Sequence, residues 1–137
     1  MHAKRYRIFF CLWILFMWML TGIPGNFVPQ LTSFLNLFQP DKIVHLFLFG
    51  IFSWLFLVVL NTGKNLSCIK YAYSISIFSG ILFGGLTEIA QKYVFINRSG
   101  NVWDFIADTA GVFLGVVFYN LFYKKKVKEW RKNLLSE

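Results

Sequence analysis

Acidic residues are scarce in this chain, six among 137 against fourteen lysines and arginines. Charged residues make up 15% of the composition and hydrophobic residues 57%, which excludes an ordinary soluble domain. Cysteine is equally sparse. Cys11 and Cys68 form no CxxC pair and have no histidines at metal-ligand spacing, so the redox and zinc motifs built on such pairs are absent and free thiols are expected. Gly-x-Ser-x-Gly, a phosphate-cradling glycine loop and a cysteine–histidine pair are all missing, which removes the hydrolase and nucleotide-binding classes that carry those motifs. The net charge of +8 does not read as a nucleic-acid footprint. The basic residues gather at the chain ends beside apolar stretches, where lipid headgroups and the positive-inside rule account for them.

Four apolar runs are present instead, at 8–23, 43–60, 69–91 and 104–123. Each of the last three is long enough to cross a hydrocarbon core of about 30 Å, and the first is slightly short. That first run follows Lys4, Arg5 and Arg7. It lacks a small-x-small cleavage site around Thr21-Gly22-Ile23-Pro24, so it is expected to stay as a helix and not to act as a cleaved signal. The second run ends at Asn61-Thr62-Gly63, a good stop signal, and the fourth is expected to stop at Lys124-Lys125-Lys126. The expected fold is a single domain over 1–137: an all-α membrane protein, a bundle of four transmembrane helices with a basic tail at 124–137.

Orientation follows from the basic residues. With the N-terminus inside, Lys4, Arg5, Arg7, Lys64, Lys70 and six in the tail lie on the inner side, eleven in all. Only Lys42, Lys92 and Arg98 lie on the outer side. Both termini are therefore expected in the cytoplasm. The outer segment between Pro24 and Pro40 is apolar, and its 31–38 stretch has the spacing of a short helix lying in the interface, either capping the bundle or touching lipid. The tail is expected to be a cytoplasmic helix on anionic headgroups, with Trp130 as an interfacial anchor.

This topology gathers the scarce acids on one side. Asp41, Lys42 and His45 begin the second run, Glu88, Gln91 and Lys92 end the third, and Asp104 and Asp108 open the fourth just after Arg98. Asp41 and His45 share a helix face, as do Asp104 and Asp108, and as do Glu88 and Gln91. Small residues lead to two of these acids: Ser76, Gly80 and Gly84 below Glu88, and Gly111 and Gly115 below Asp108. Stripes of this kind let helices approach closely in lipid, so the third and fourth runs are expected to pack through them.

Helix capping and ion pairing explain Asp41, and largely explain Asp104, without any function. They fail for Glu88, which sits at a helix C-terminus against the dipole, and for Asp108, a turn inside its run. Glu88, His45 and Asp108 are therefore the candidate reactive residues, since a carboxylate beside a histidine exchanges protons readily near neutral pH. Arg98 offers a fork for phosphate or carboxylate, and Gln91, Asp104, Lys42 and Asp41 are candidate binding residues around it. Two carboxylates and a histidine also form a donor set for a divalent metal, but no metal-motif spacing is present. Neither a metal nor a cofactor is assigned.

The ordered set Asp41-Lys42-x-x-His45, Glu88-x-x-Gln91, Arg98 and Asp104-x-x-x-Asp108-x-x-Gly111-x-x-x-Gly115 resembles the VanZ-like family of small bacterial membrane proteins. The resemblance covers roughly 24–123. One departure stands out: the family more usually has asparagine where this chain has Asp108. The resemblance implies a protein of the bacterial cytoplasmic membrane linked to resistance to glycopeptide antibiotics, teicoplanin in particular, without an assigned biochemical activity. An outward-facing site binding or modifying a lipid-linked or glycan envelope precursor is the expected function, with membrane lipid as a partner. A non-catalytic scaffold whose polar cluster locks helices together is the competing expectation. A proton-coupled transporter fits less well, because no inverted repeat or mid-membrane charge is visible. Oligomeric state and catalysis are left open.

Overall fold

Lys, Leu, Phe and Ile fill long stretches of this chain with few helix breakers, and the only regular structure among the described residues is helical. The computed structural model describes residues 2–24, 40–63, 65–98 and 100–135. Helix α1 spans His2–Thr21, α2 Pro40–Asn61, α3 Leu66–Lys70, α4 Ala72–Tyr93 and α5 Val102–Phe118. A π-helical turn at Tyr119–Tyr123 then leads directly into α6, Lys124–Leu135. The interfacial helix expected at 31–38 lies outside the described residues.

Among the described residues, three stretches are long and apolar enough to cross a membrane: Asp41–Asn61, Ala72–Tyr93 and Val102–Asn133. At about 1.5 Å per residue, the 21 and 22 residues of the first two reach about 30 Å, the thickness of a hydrocarbon core. Helix α1 is 20 residues long, but Lys4, Arg5 and Arg7 occupy its first two turns and it falls outside this set. Its remaining surface is nevertheless apolar and outward, with Leu15 and Met19 exposed. Phe78 and Leu82 on α4 and Phe113 on α5 are exposed as well, so much of the apolar side-chain surface faces outward. Such a surface suits lipid rather than water.

The expected boundaries need two corrections. The fourth run and the helical tail expected after it are joined without a break at the three lysines. Lysine is a good helix former, and no glycine or proline interrupts the chain there, so the helical path continues to Leu135. The third run is broken near its start. Asn65 caps α3 by accepting from the Ser67 and Cys68 amides, and α4 begins only after Tyr71.

The central contact is α2 against α5. A Cβ added at Gly111 would overlap the Leu46 carbonyl, and one added at Gly115 would overlap the Gly50 carbonyl. The two backbones therefore touch at successive turns, as small residues allow in an apolar medium. Helix α4 docks on the other side of α5, where Gly80 receives Val112 and Gly84 receives Asp108. The two small-residue stripes thus do not face each other as expected. The glycines of α4 do meet α5, but those of α5 serve α2, because a helix carrying glycine on one flank and Val112 and Asp108 on another can hold two partners at once.

Helix α1 packs on α2 through a Phe10–Phe56 stack, with centroids 4.8 Å apart, and through Trp13 Nε1, which donates to the Leu48 carbonyl at 3.1 Å. Met17, Leu48, Phe49, Phe52 and Val112 form one buried apolar cluster. A second cluster, Leu57, Val58, Ala72, Tyr119 and Val127, closes the opposite end. Val127 ties α6 into the bundle, and Trp130 stacks on Tyr6 of α1 with centroids 5.6 Å apart. The tail is thus packed against the bundle, and its tryptophan has a protein partner.

Candidate functional site

The end of the bundle opposite α6 collects the start of α2, the end of α4 and the start of α5. His45 lies one turn into α2 and is 2% exposed. Asp108 lies in the second turn of α5 and is fully buried. Their contact is short: His45 Nδ1–H donates to Asp108 Oδ1 at 2.8 Å. Glu88, from the last turns of α4, is 9% exposed and places Oε1 3.9 Å from the same His45 nitrogen. Two carboxylates from two other helices therefore converge on one imidazole nitrogen.

Local chemistry fixes Glu88. Asn101 caps α5 by accepting from the Trp103 amide at 3.0 Å, and its own backbone amide donates to Glu88 Oε2 at 2.7 Å. The preceding Gly100 lies so close to α4 that a Cβ there would overlap the Glu88 carbonyl oxygen. The turn thus clamps both the main chain and the carboxylate of Glu88. Earlier in the same turn Asn97 adopts a left-handed backbone with φ 53°, a conformation asparagine tolerates better than most residues.

With Oε2 held, Glu88 Oε1 is buried without a hydrogen-bond partner, and so is Asp108 Oδ2. Buried carboxylate oxygens in that state are uncommon, because removing them from water without a partner is costly. Gly84 makes room for Asp108: its missing Cβ would stand 3.2 Å from Oδ2.

The remaining candidates sort into three groups. Lys42 and Asp104 form an ion pair at 2.9 Å across α2 and α5, with Asp104 4% exposed. Asp104 is therefore a cross-helix partner in the first turn, and the cap is Asn101. Asp41 is exposed in the first turn of α2, with a carboxylate oxygen within 4.8 Å of ligand atoms of His45 and Asp104. Gln91 is buried and donates to the Thr21 carbonyl of α1 at 3.4 Å, so it joins α4 to α1. Arg98 lies half-buried in the α4–α5 turn with its Nε lacking a partner. Among the described residues it forms no ion pair with the acids of the cluster.

A groove of about 400 Å³ between α4 and α5 touches this cluster at Glu88, and is lined by Lys92, Gly100, Asn101 and Phe105 among others. A slightly larger crevice of about 440 Å³ between α2 and α5 has no ionisable residue in its lining, which includes Ile51, Leu114 and Phe118. The first is the one connected to chemistry. Deeper in the bundle, Ser53 and Ser76 hydroxyls meet at 3.2 Å and bridge α2 to α4.

Asn101, Gly100, Thr21 and Ser53 did not emerge as site residues from the sequence. Asn101 carries a readable signal, an N-cap residue three places before Asp104, whereas Thr21 acts through its backbone and leaves no trace in residue type.

Long apolar helices enclosing one buried histidine and the three buried carboxylates of Glu88, Asp104 and Asp108 at a single end define a helical protein of membrane type with an internal polar centre. The chain belongs to the VanZ/LLP1 family, whose model matches residues 6–123. No curated protein and no solved structure matches it.

Proposed function

We propose that this chain is a four-span protein of the bacterial cytoplasmic membrane whose polar centre faces outward and binds or modifies a lipid-linked or glycan precursor of the cell envelope. The observation that carries this reading is the convergence of Glu88 and Asp108 on His45, with Glu88 also lining a groove flanked by Lys92. A groove with apolar walls and a cationic rim suits an amphiphile with an anionic head. The first span is supported by the exposed apolar side chains of α1, and the orientation by the eleven-to-three division of basic residues.

In this reading Glu88 and His45 move a proton at the head of the bound molecule. Asp108 holds the imidazole in one orientation through the 2.8 Å contact. Arg98 and Lys92 attract the anionic group, while the Lys42–Asp104 pair keeps α2 and α5 in register. The proposal extends to teicoplanin resistance, because a protein acting on envelope precursors from outside would alter the target of an extracellular drug.

The test is teicoplanin susceptibility at matched membrane expression for the parent, Glu88→Gln and Asp108→Ala. Loss of protection in both variants is expected. Full protection in both would overturn the proposal.

A second reading, a non-catalytic scaffold, is favoured by one specific feature: ion and hydroxyl pairs bridge α2 to α5 and α2 to α4. The two readings part at Glu88→Gln. A scaffold loses thermal stability in detergent and its protein partners, whereas a site keeps its fold and loses ligand.

A further inference from the structure

We infer that His45, Glu88 and Asp108 form the protein half of a binding site for one divalent transition-metal ion. The donor atoms are His45 Nδ1, Glu88 Oε1 and an Asp108 carboxylate oxygen, and the three residues can each offer an atom within 4.8 Å of the other two.

Geometry comes first. Metal–nitrogen and metal–oxygen bonds of about 2.0–2.2 Å set neighbouring ligand atoms about 3–3.5 Å apart. The two separations at His45 Nδ1 are 2.8 Å to Asp108 and 3.9 Å to Glu88, which bracket that value. An ion at Nδ1, with the single imidazole proton carried on Nε2 instead, needs the three side chains to shift by only a few tenths of an ångström, by that comparison.

Unmet valence is the independent observation. Glu88 is nine-tenths buried, and the oxygen nearest His45 Nδ1 is the one without a hydrogen-bond partner. Its other oxygen is tied to the Asn101 amide at 2.7 Å, so the carboxylate is oriented with a free end toward the cluster. Carboxylates that ligate metals are typically held in this way by hydrogen bonds from outside the site. Asp108 is fully buried and also has an unpartnered oxygen.

Charge gives the same answer. Two buried carboxylates share the centre, and the nearby Lys42 is already engaged with Asp104 at 2.9 Å. A dication with a neutral imidazole brings the three residues to zero net charge. The overlapping group Asp41, His45 and Asp104 is a poorer choice, because Asp41 is exposed and Asp104 has its lysine.

One nitrogen and two carboxylate oxygens suit zinc, manganese or ferrous iron better than calcium, which prefers six to eight oxygens. Three protein ligands leave at least one coordination position for water or for a molecule entering the groove beside Glu88. The inference does not depend on an envelope ligand, since its readout is the metal itself.

The chain has two histidines, His2 and His45, which makes the coordination signature readable. Untagged His2→Ala protein in detergent, freed of metal and titrated with Zn²⁺ and then Mn²⁺, is expected to bind one ion per chain. X-ray absorption of the zinc form is expected to show one imidazole with oxygen donors and no sulfur. Glu88→Gln and Asp108→Asn are each expected to weaken binding by at least about tenfold while helical content holds. Absence of saturable binding, a sulfur or two-imidazole shell, or unchanged affinity in folded variants would overturn the site. If a variant does not fold, the coordination shell of the His2→Ala protein decides.

Discussion

His45 Nδ1 and Asp108 Oδ1 are 2.8 Å apart, although 63 positions separate the two residues along the chain. The contact joins α2 to α5 inside a medium where a lone charge or an unpaired ring nitrogen is expensive. Both residues are almost completely withdrawn from solvent, so each depends on the other.

Asp108→Ala removes the acceptor and leaves a buried imidazole donor unpaired. The expected cost is about 1–3 kcal/mol, read as a lower melting temperature in detergent. Asp108→Asn keeps an acceptor oxygen of the same reach and is expected to melt close to the parent. Equal melting of the alanine and asparagine variants would contradict the assigned contact.

Gly115→Val places a side chain where the Gly50 carbonyl already lies. Overpacking typically costs about 1–3 kcal/mol, and a collision with backbone belongs at the upper end. Gly85→Ala is the matched control, since its nearest neighbour beyond α4 would be Phe105 at an ordinary 3.7 Å. Size-exclusion profiles should therefore separate the two, with Gly85→Ala eluting like the parent.

Gly100→Ala presses on the Glu88 carbonyl and on the Lys92 Cβ, leaving the carboxylate and the ammonium themselves unaltered. It is expected to displace the Asn101 amide from Glu88 Oε2 and so to reproduce the phenotype of Glu88→Gln in the susceptibility assay. Retention of full protection by a stably expressed Gly100→Ala protein would show that the clamp is not needed.

The Ser53–Ser76 bridge lies between apolar residues, where hydroxyl pairs average about 0.6 kcal/mol. Ser53→Ala is accordingly expected to lower stability slightly and to leave activity intact. A large loss of function with normal melting would assign these serines to the site instead of the packing.

The proposed orientation is tested by cysteine labelling in a background with Cys11 and Cys68 changed to serine. Tyr93 is 73% exposed at the end of α4 near the cluster, and Lys128 lies in α6 at the other end. An impermeant maleimide is expected to label Tyr93→Cys in intact cells and Lys128→Cys only after permeabilisation. The reverse pattern would invert the topology.

Much of this arrangement is legible in residue order, because a long apolar run between polar punctuation has few conformations open to it. His45, Glu88 and Asp108 stand out since each interrupts an apolar pattern with an ionisable group that burial penalises. Pairing between helices is less legible. Gly111 and Gly115 announce a close contact but not its partner, and α2 took the contact expected for α4. Lys124 to Lys126 resemble an end, yet nothing in lysine breaks a helix, and the path runs on through the π turn. The clamp at Asn101 and the Thr21 carbonyl work through main-chain atoms, which every residue type carries alike.

The backbone contact of Gly111 and Gly115 with α2 also has a kinematic meaning. Two helices touching at consecutive turns without side chains between them have little freedom to slide or roll. His45 and Asp108 therefore travel together as one body. Helix α4 meets α5 through the flank of Val112 and is leashed at its far end by the Gly100–Asn101 turn. Glu88, tied through its own carboxylate to the Asn101 amide at the start of α5, is held to that same body, so the centre is set in place by the packing of the helices.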